Sequence, residues 1–120
     1  MGMTHVTVEV KALTGKRKPY RDDFLVDTGA IHCLAPARQL KAAGIKPRGK
    51  ASYELADGSS LKLEYGFAIV SFMGSETATE VIFGPENAEP ILGVLALESV
   101  GIIVDPRSQA LRRLHALPLK

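Results

Sequence analysis

The chain contains very few cysteines. Its 120 residues include one, Cys33, so no disulfide can form within the chain. A single thiol is typical of proteins in a reducing compartment. The first residues also lack the basic and apolar regions of a secretion signal. The sequence therefore predicts a cytoplasmic protein.

Long apolar runs and a strong excess of one charge are also missing. No apolar stretch approaches the ~20 residues needed to cross a bilayer, so we expect no membrane partner. Fifteen Lys and Arg residues face thirteen Asp and Glu residues, for a net charge of +2. The densest basic cluster, Lys16-Arg17-Lys18, has no interleaved aromatic residue. It is predicted to be a solvated turn, and no nucleic-acid partner is expected.

The residues that are present suffice for one folded core. Hydrophobic residues make up 46% of the chain, which at this length predicts a single domain over residues 1–120. Apolar and polar residues mostly alternate with the period of a strand, and turn-forming residues separate the alternating segments. The predicted strands cover residues 5–10, 20–26, 31–34, 53–55, 61–65, 67–72, 77–83, 102–105 and 110–114, and the predicted short helices cover 36–44 and 95–101.

The most informative stretch is Phe24-Leu25-Val26-Asp27-Thr28-Gly29-Ala30, where an apolar run stops at a carboxylate. An unpaired charge at the end of a buried strand is costly unless it is satisfied or used. In aspartic-type hydrolysis, two carboxylates share one proton and activate a water molecule without a metal. Glycine suits the tight turn that such a carboxylate needs. A structural alternative is that Asp27 only caps the turn.

The run from Leu25 to Ala30 resembles the active-site loop of the retropepsins, the single-domain aspartic proteases of retroviral type. A turn-rich hairpin around residues 56–60 stands where that family has its flap. Ile91-Leu92-Gly93, followed by a short helix, is similar to the family's hydrophobic-hydrophobic-glycine element. The resemblance implies an all-β fold, a retropepsin-like closed β-barrel with one or two short helices and a flap hairpin.

The same resemblance implies an aspartic endopeptidase that needs no cofactor or metal and cleaves extended peptides. Because the chain holds one such triplet and the chemistry needs two carboxylates, a symmetric homodimer is implied. Asp27 would be the catalytic acid and base, Thr28 would bond across the dimer, and Gly29 would contact the substrate backbone. Ala30 stands where some relatives have serine. Without that hydroxyl donor, we expect activity closer to neutral pH.

The resemblance also implies a flap tip that binds substrate, formed by Ala56, Asp57, Gly58 and Ser59. Such a tip closes over an extended peptide and excludes water. An ordinary exposed hairpin is the alternative. A second alternative for the whole chain is a catalytically silent retropepsin-like module that binds peptides or dimerises.

Three other candidate sites are weaker. His32 and Cys33 are neighbours on a predicted strand, so their side chains point to opposite faces and do not form a thiol-protease pair. The histidines and Cys33 lack zinc-like spacing. Asp105 also follows an apolar run, but Pro106 and Arg107 come next, which favours a structural turn. Residues 111–114 are predicted to pair either with residues 6–10 of a second subunit, as the resemblance implies, or within their own subunit.

Overall fold

The computed structural model describes residues 4–55 and 57–114. Within these residues the chain forms nine strands and two short helices. The strands are β1 His5–Lys11, β2 Tyr20–Val26, β3 Cys33–Pro36, β4 Gly49–Glu54, β5 Ser60–Phe72, β6 Ser75–Gly84, β7 Ile91–Leu92, β8 Ile102–Val104 and β9 Leu111–Arg113, and the helices are α1 Ala37–Ala42 and α2 Val94–Ser99.

Seven strands form one sheet in the order β1-β2-β7-β3-β6-β5-β4. The sheet closes on itself because β1 pairs with β5 as well as with β2. β4 pairs with the first half of β5 and projects as a hairpin from the closed part. This arrangement confirms the predicted all-β closed fold with two short helices.

The alternating pattern of the sequence produces the core. In β1, Val8 and Val10 are fully buried, while their polar neighbours point outward. Each helix adds apolar side chains to the same core, Leu40 from α1 and Ala96 and Leu97 from α2. The fully buried core residues on strands, with no exposed side-chain surface, are Val8, Val10, Phe24, Ala68, Val70, Leu92 and Ile102.

β5 differs from the prediction, which divided it into two strands on either side of Gly66. The structure has one continuous strand from Ser60 to Phe72. Gly66 does not end the strand, because its role is a close approach: a Cβ atom there would lie 2.7 Å from the backbone oxygen of Lys46. A glycine inside a strand often marks such a contact.

The end of the described chain pairs within its own subunit, which is one of the two predicted alternatives. β9 is antiparallel to β8, with Ile103 opposite Arg112. The Leu114 N–H also donates to the Gly101 backbone oxygen at 2.7 Å. Both described helices are six residues long, and neither is long and apolar enough to cross a membrane.

The shortest strand, β7, is closely packed against the backbone of its neighbours. It lies between β2, to which it is parallel, and β3, to which it is antiparallel. Gly93 follows it, and a Cβ atom at Gly93 would lie 2.5 Å from the His32 backbone oxygen and 2.7 Å from that of Ile31. Only a residue without a side chain fits here, because both neighbours are backbone atoms.

We therefore expect Gly93→Ala to destabilise the fold by more than about 3 kcal/mol, because the backbone around residues 31–32 must move. Gly58→Ala is the matched control. Gly58 has a φ of +88° but nothing within 4 Å of its missing Cβ, so only the left-handed backbone disfavours alanine, at about 1–2 kcal/mol. Urea unfolding measures both variants. Equal losses of unfolding free energy would contradict the role given to Gly93.

Candidate active site

Asp27 lies immediately after the buried end of β2. Phe24 and Leu25 are buried, and Val26 is paired with Leu92 of β7. The Asp27 N–H donates to the Leu92 backbone oxygen at 3.1 Å, so β7 fixes the backbone at the point where the chain leaves the sheet. The Asp27 side chain itself is partly exposed.

A tight turn holds the carboxylate. The Ala30 N–H donates to the Asp27 backbone oxygen at 3.1 Å, which closes the turn. The Gly29 N–H donates to Oδ1 of Asp27 at 2.9 Å, so a backbone amide orients the carboxylate and stabilises its charge. A Cβ atom at Gly29 would lie 3.2 Å from that oxygen, which is a tight contact. The turn therefore presents a fixed carboxylate.

The start of α2 holds the other side of the turn. The Val94 N–H donates to the Ala30 backbone oxygen at 2.8 Å, and the Leu95 N–H donates to the Ile31 oxygen at 3.2 Å. These amides are at the helix N-terminus and have no partner within the helix. The hydrophobic-hydrophobic-glycine element thus accepts a hydrogen bond from Asp27 through Leu92, and the helix that follows it donates to the residues after the turn.

The surface beside Asp27 combines a hydroxyl residue with exposed apolar side chains. Thr28 and Gly29 are exposed. Ile31 is 59% exposed, and Leu95 on α2 is 41% exposed. Large apolar residues this exposed, on segments hydrogen-bonded to one another beside the Asp27 turn, are a feature of surfaces that meet a partner or a ligand.

The structure gives Asp105 a structural role, as the sequence favoured. Its Oδ1 accepts hydrogen bonds from the Arg107 N–H at 2.8 Å and the Ser108 N–H at 3.3 Å. These backbone donors hold the pKa of the Asp105 carboxyl below its usual value. The Asp105 carboxylate caps the turn between β8 and β9, so it is not a free second acid for the Asp27 site.

The predicted flap tip lies at the end of the β4–β5 hairpin. The Gly58 N–H donates to the Leu55 oxygen at 2.9 Å, and the Ser59 N–H donates to Oδ1 of Asp57 at 2.9 Å. The Ser59 hydroxyl and amide lower the pKa of the Asp57 carboxyl. Asp57, Gly58 and Ser59 are all exposed. Ala56, also predicted for this site, lies outside the described residues.

A polar cluster links the base of this hairpin to the segment that follows the Asp27 turn. Tyr53 on β4 donates to Oε2 of Glu80 on β6 at 3.5 Å, and Nε2 of His32 lies 3.7 Å from the same oxygen. Burial and the Glu80 charge raise the pKa of Tyr53. Nδ1 of His32 is buried without a hydrogen-bond partner among the described residues. The sequence did not indicate this cluster, because its members come from three separate elements.

Cys33 is buried and chemically protected. It is 2% exposed, and burial raises the pKa of its thiol to about 11, although a hydrogen bond from the Gly93 backbone lowers it somewhat. A nucleophilic cysteine needs a lowered pKa and access to solvent. Neither the sequence nor the structure therefore supports the hypothesis of a thiol protease that uses Cys33.

Comparison with known proteins supports the fold. No protein-family profile and no curated protein matches the sequence. The solution structure of the simian foamy virus (mac) protease superposes with a TM-score of 0.56 and 15% sequence identity, covering 78% of this chain and 91% of that chain. At this identity the likeness shows the fold alone. The chain has a retropepsin-like fold.

The thiol of Cys33 gives a direct test of its burial. We expect Ellman's reagent at pH 8 to leave the folded protein almost unmodified, because thiols with a raised pKa contain very little thiolate at that pH. The same protein unfolded in guanidinium chloride is the control and should react with one equivalent. Rapid, stoichiometric reaction of the folded protein would contradict the inert role assigned to Cys33.

Proposed function

We propose that this protein is a homodimeric aspartic endopeptidase, in which two Asp27 carboxylates, one from each subunit, activate the water that hydrolyses an extended peptide. The observation that carries the proposal is the Asp27 turn itself. A partly exposed carboxylate is oriented by the Gly29 amide, and the backbone on either side of it is hydrogen-bonded to Leu92 of β7 and to the first amides of α2. Its position in a retropepsin-like fold supports the same chemistry.

The chemistry requires a second carboxylate, and the described part of the chain does not supply one beside Asp27. Asp105 is engaged by the amides of its own turn. A twofold axis through the turn would bring in the second Asp27 and would cover the exposed Leu95 side chain. Thr28, exposed in the single chain, would then face the partner's turn.

The reaction follows from two like charges held close together. Two neighbouring carboxylates cannot both ionise easily, so the pair holds one proton. The ionised group takes a proton from water as the water oxygen attacks the scissile carbonyl carbon, and the protonated group gives its proton to the carbonyl oxygen. As the C–N bond of the tetrahedral intermediate breaks, the protonated carboxyl gives its proton to the departing amine and the ionised carboxylate takes a proton from one hydroxyl of the intermediate, which restores the pair with one proton. No cofactor is required.

The substrate class follows from the surfaces around the turn. We assign the flap role to the hairpin tip at residues 57–59, which would close over the substrate and donate backbone hydrogen bonds to it. Ile31 and Leu55 are 59% and 45% exposed, and Ile91 is partly buried, so apolar side chains are available for substrate pockets. An extended peptide with hydrophobic side chains near the scissile bond fits these features.

Asp27→Asn should reduce peptide cleavage by roughly 10³-fold or more, because an amide cannot act as the general base. The asparagine oxygen can still accept the Gly29 N–H, so the turn and the dimer should persist. Asp105→Asn is the matched control, since it removes one carboxylate that only caps a turn. A peptide-library cleavage assay and analytical ultracentrifugation measure the two effects. Full cleavage by the Asp27→Asn protein would disprove the proposed mechanism.

Mixing experiments test the shared site. If each active site needs both Asp27 residues, adding one equivalent of Asp27→Asn protein and allowing subunit exchange leaves about half of the parent activity, because mixed dimers are inactive. If each monomer had an independent active site, the full parent activity would remain. A stable dimer of the parent chain that cleaves no peptide of the library would instead favour the alternative of a silent binding or dimerisation module.

Ala30→Ser tests the pH behaviour. A serine hydroxyl next to the Asp27 pair would stabilise its ionised form, so the acidic limb of kcat/KM against pH should move to lower pH in the variant. Ala30→Gly, which adds no donor, is the control and should leave that limb in place. The measurement is a pH–rate profile with one fixed peptide. An unchanged profile for the serine variant would contradict the hypothesis that alanine favours activity near neutral pH.

A further inference from the structure

A groove lined by positive and apolar side chains, together with Thr14, lies far from the Asp27 turn. It is formed by the loop between β1 and β2 and by the loop between α1 and β4, with a cavity volume of about 410 Å³. Leu13, Arg17, Lys46, Arg48 and Phe67 contribute to its lining. No Asp or Glu of the described residues contributes to it. No local pattern of the sequence indicates this groove, because its cations come from two separate loops.

Contacts within the groove hold two of its cations in place. The stem of Arg17 packs against Gly44, where a Cβ atom would lie 3.2 Å from Cγ of Arg17. The guanidinium of Arg48 lies over the Phe67 ring, 6.0 Å from its centroid. The backbone N–H of Arg48 also donates to the backbone oxygen of Tyr65 at 2.7 Å. Cations held in this way lose less side-chain entropy when they bind a ligand.

The groove cations also lack acidic partners. Lys11, Arg38 and Lys41 each lie within 4 Å of a glutamate, with distances of 3.9, 3.0 and 3.3 Å. Among the described residues, no such ion pair includes Arg17, Lys46 or Arg48. The groove is thus a local concentration of uncompensated positive charge on a chain whose net charge is only +2.

Exposed apolar side chains accompany this charge. Leu13 is 50% exposed and Phe67 is 41% exposed. The lining also includes the aliphatic side chains of Ala12 and Ile45. A matching ligand combines carboxylates with an apolar side chain.

We propose that this groove binds an acidic segment of a partner protein, with carboxylates on Arg17, Lys46 and Arg48 and an apolar side chain against Leu13 and Phe67. The observations favour a peptide over a nucleic acid. The positive charge covers one groove and not an extended stripe. Arg48 over the ring and Tyr65 in an edge contact, with centroids 6.2 Å apart, already occupy part of the Phe67 surface that a base would need for stacking.

The groove is separate from the candidate active site. Arg17 precedes β2 and Asp27 follows it, so the length of β2 puts them about 20 Å apart. Binding at the groove therefore leaves the Asp27 turn of the same subunit open. For this reason the proposal can be tested on the Asp27→Asn protein, and it stands or falls independently of the proteolytic function.

The test is fluorescence anisotropy with the Asp27→Asn protein and a short labelled peptide, Glu-Glu-Leu-Leu-Glu-Glu. We expect saturable binding that weakens at high salt and is lost when glutamine replaces glutamate in the peptide. A triple variant, Arg17→Gln with Lys46→Gln and Arg48→Gln, should bind about tenfold more weakly. The matched control removes three cations outside the groove, Lys50→Gln with Lys62→Gln and Arg107→Gln, and should bind like the parent.

Several outcomes would overturn the proposal. The first is that the Asp27→Asn protein does not bind the acidic peptide, and the second is that both triple variants weaken binding equally. The third is that a single-stranded oligonucleotide binds more tightly than the peptide and that the groove variant no longer binds this oligonucleotide. Circular dichroism and thermal unfolding confirm that each variant is folded. Amide chemical-shift changes on adding the peptide provide a second measurement: shifts centred on residues 12–17, 44–48 and 67 support the site, and shifts centred elsewhere disprove it.

Discussion

The candidate site depends on a close contact between two backbone segments at Gly93. Because this residue has no side chain, the end of β7 lies directly against the carbonyl groups of residues 31 and 32. That contact lets the Val94 and Leu95 amides reach the carbonyls that follow the Asp27 turn, while the Leu92 oxygen accepts from Asp27 itself. A short helix start and a two-residue strand thus fix the turn from both sides. A side chain at position 93 would separate these elements and release the turn.

The charge of Asp27 is accommodated locally. The apolar run before it is buried, yet the carboxylate lies where the chain leaves the sheet and is partly exposed. The Gly29 amide then supplies a hydrogen bond to one carboxylate oxygen. The large penalty for a buried, unpaired charge therefore does not arise in the single chain. It would arise only when a second subunit covers the turn, and a proton shared between two carboxylates would then reduce it.

Local patterns predicted most of the secondary structure, and long-range contacts account for the differences. Alternation identified β1, and the turn residues around Gly58 identified the β4–β5 hairpin. The continuity of β5 through Gly66 was missed, because that glycine serves a contact with Lys46 that no local pattern reveals. Two local features of the sequence indicate Asp27: an apolar run stops at this carboxylate, and the stretch from Leu25 to Ala30 resembles a known active-site loop.

The polar cluster around Glu80 and the basic groove were missed for a related reason. Each joins side chains that are more than twenty residues apart in the sequence, such as Tyr53 with Glu80 and Arg17 with Arg48. Their charges look ordinary along the chain, because similar residues occur on any solvated surface. Only the closed sheet, which brings the loop after β1 next to the loop after α1, distinguishes the groove cations from the remaining ones.

The closed sheet also determines how the two regions relate in the proposed dimer. The Asp27 turns would meet at the twofold axis, and each groove lies at the other end of its own β2, about 20 Å away. Two grooves would then lie on the outer flanks of the dimer, clear of the cleft. A partner with one acidic segment would bind either flank, and a partner with two would bind both if its linker spans the distance. In that case the gain in affinity comes from effective concentration and requires no new contact.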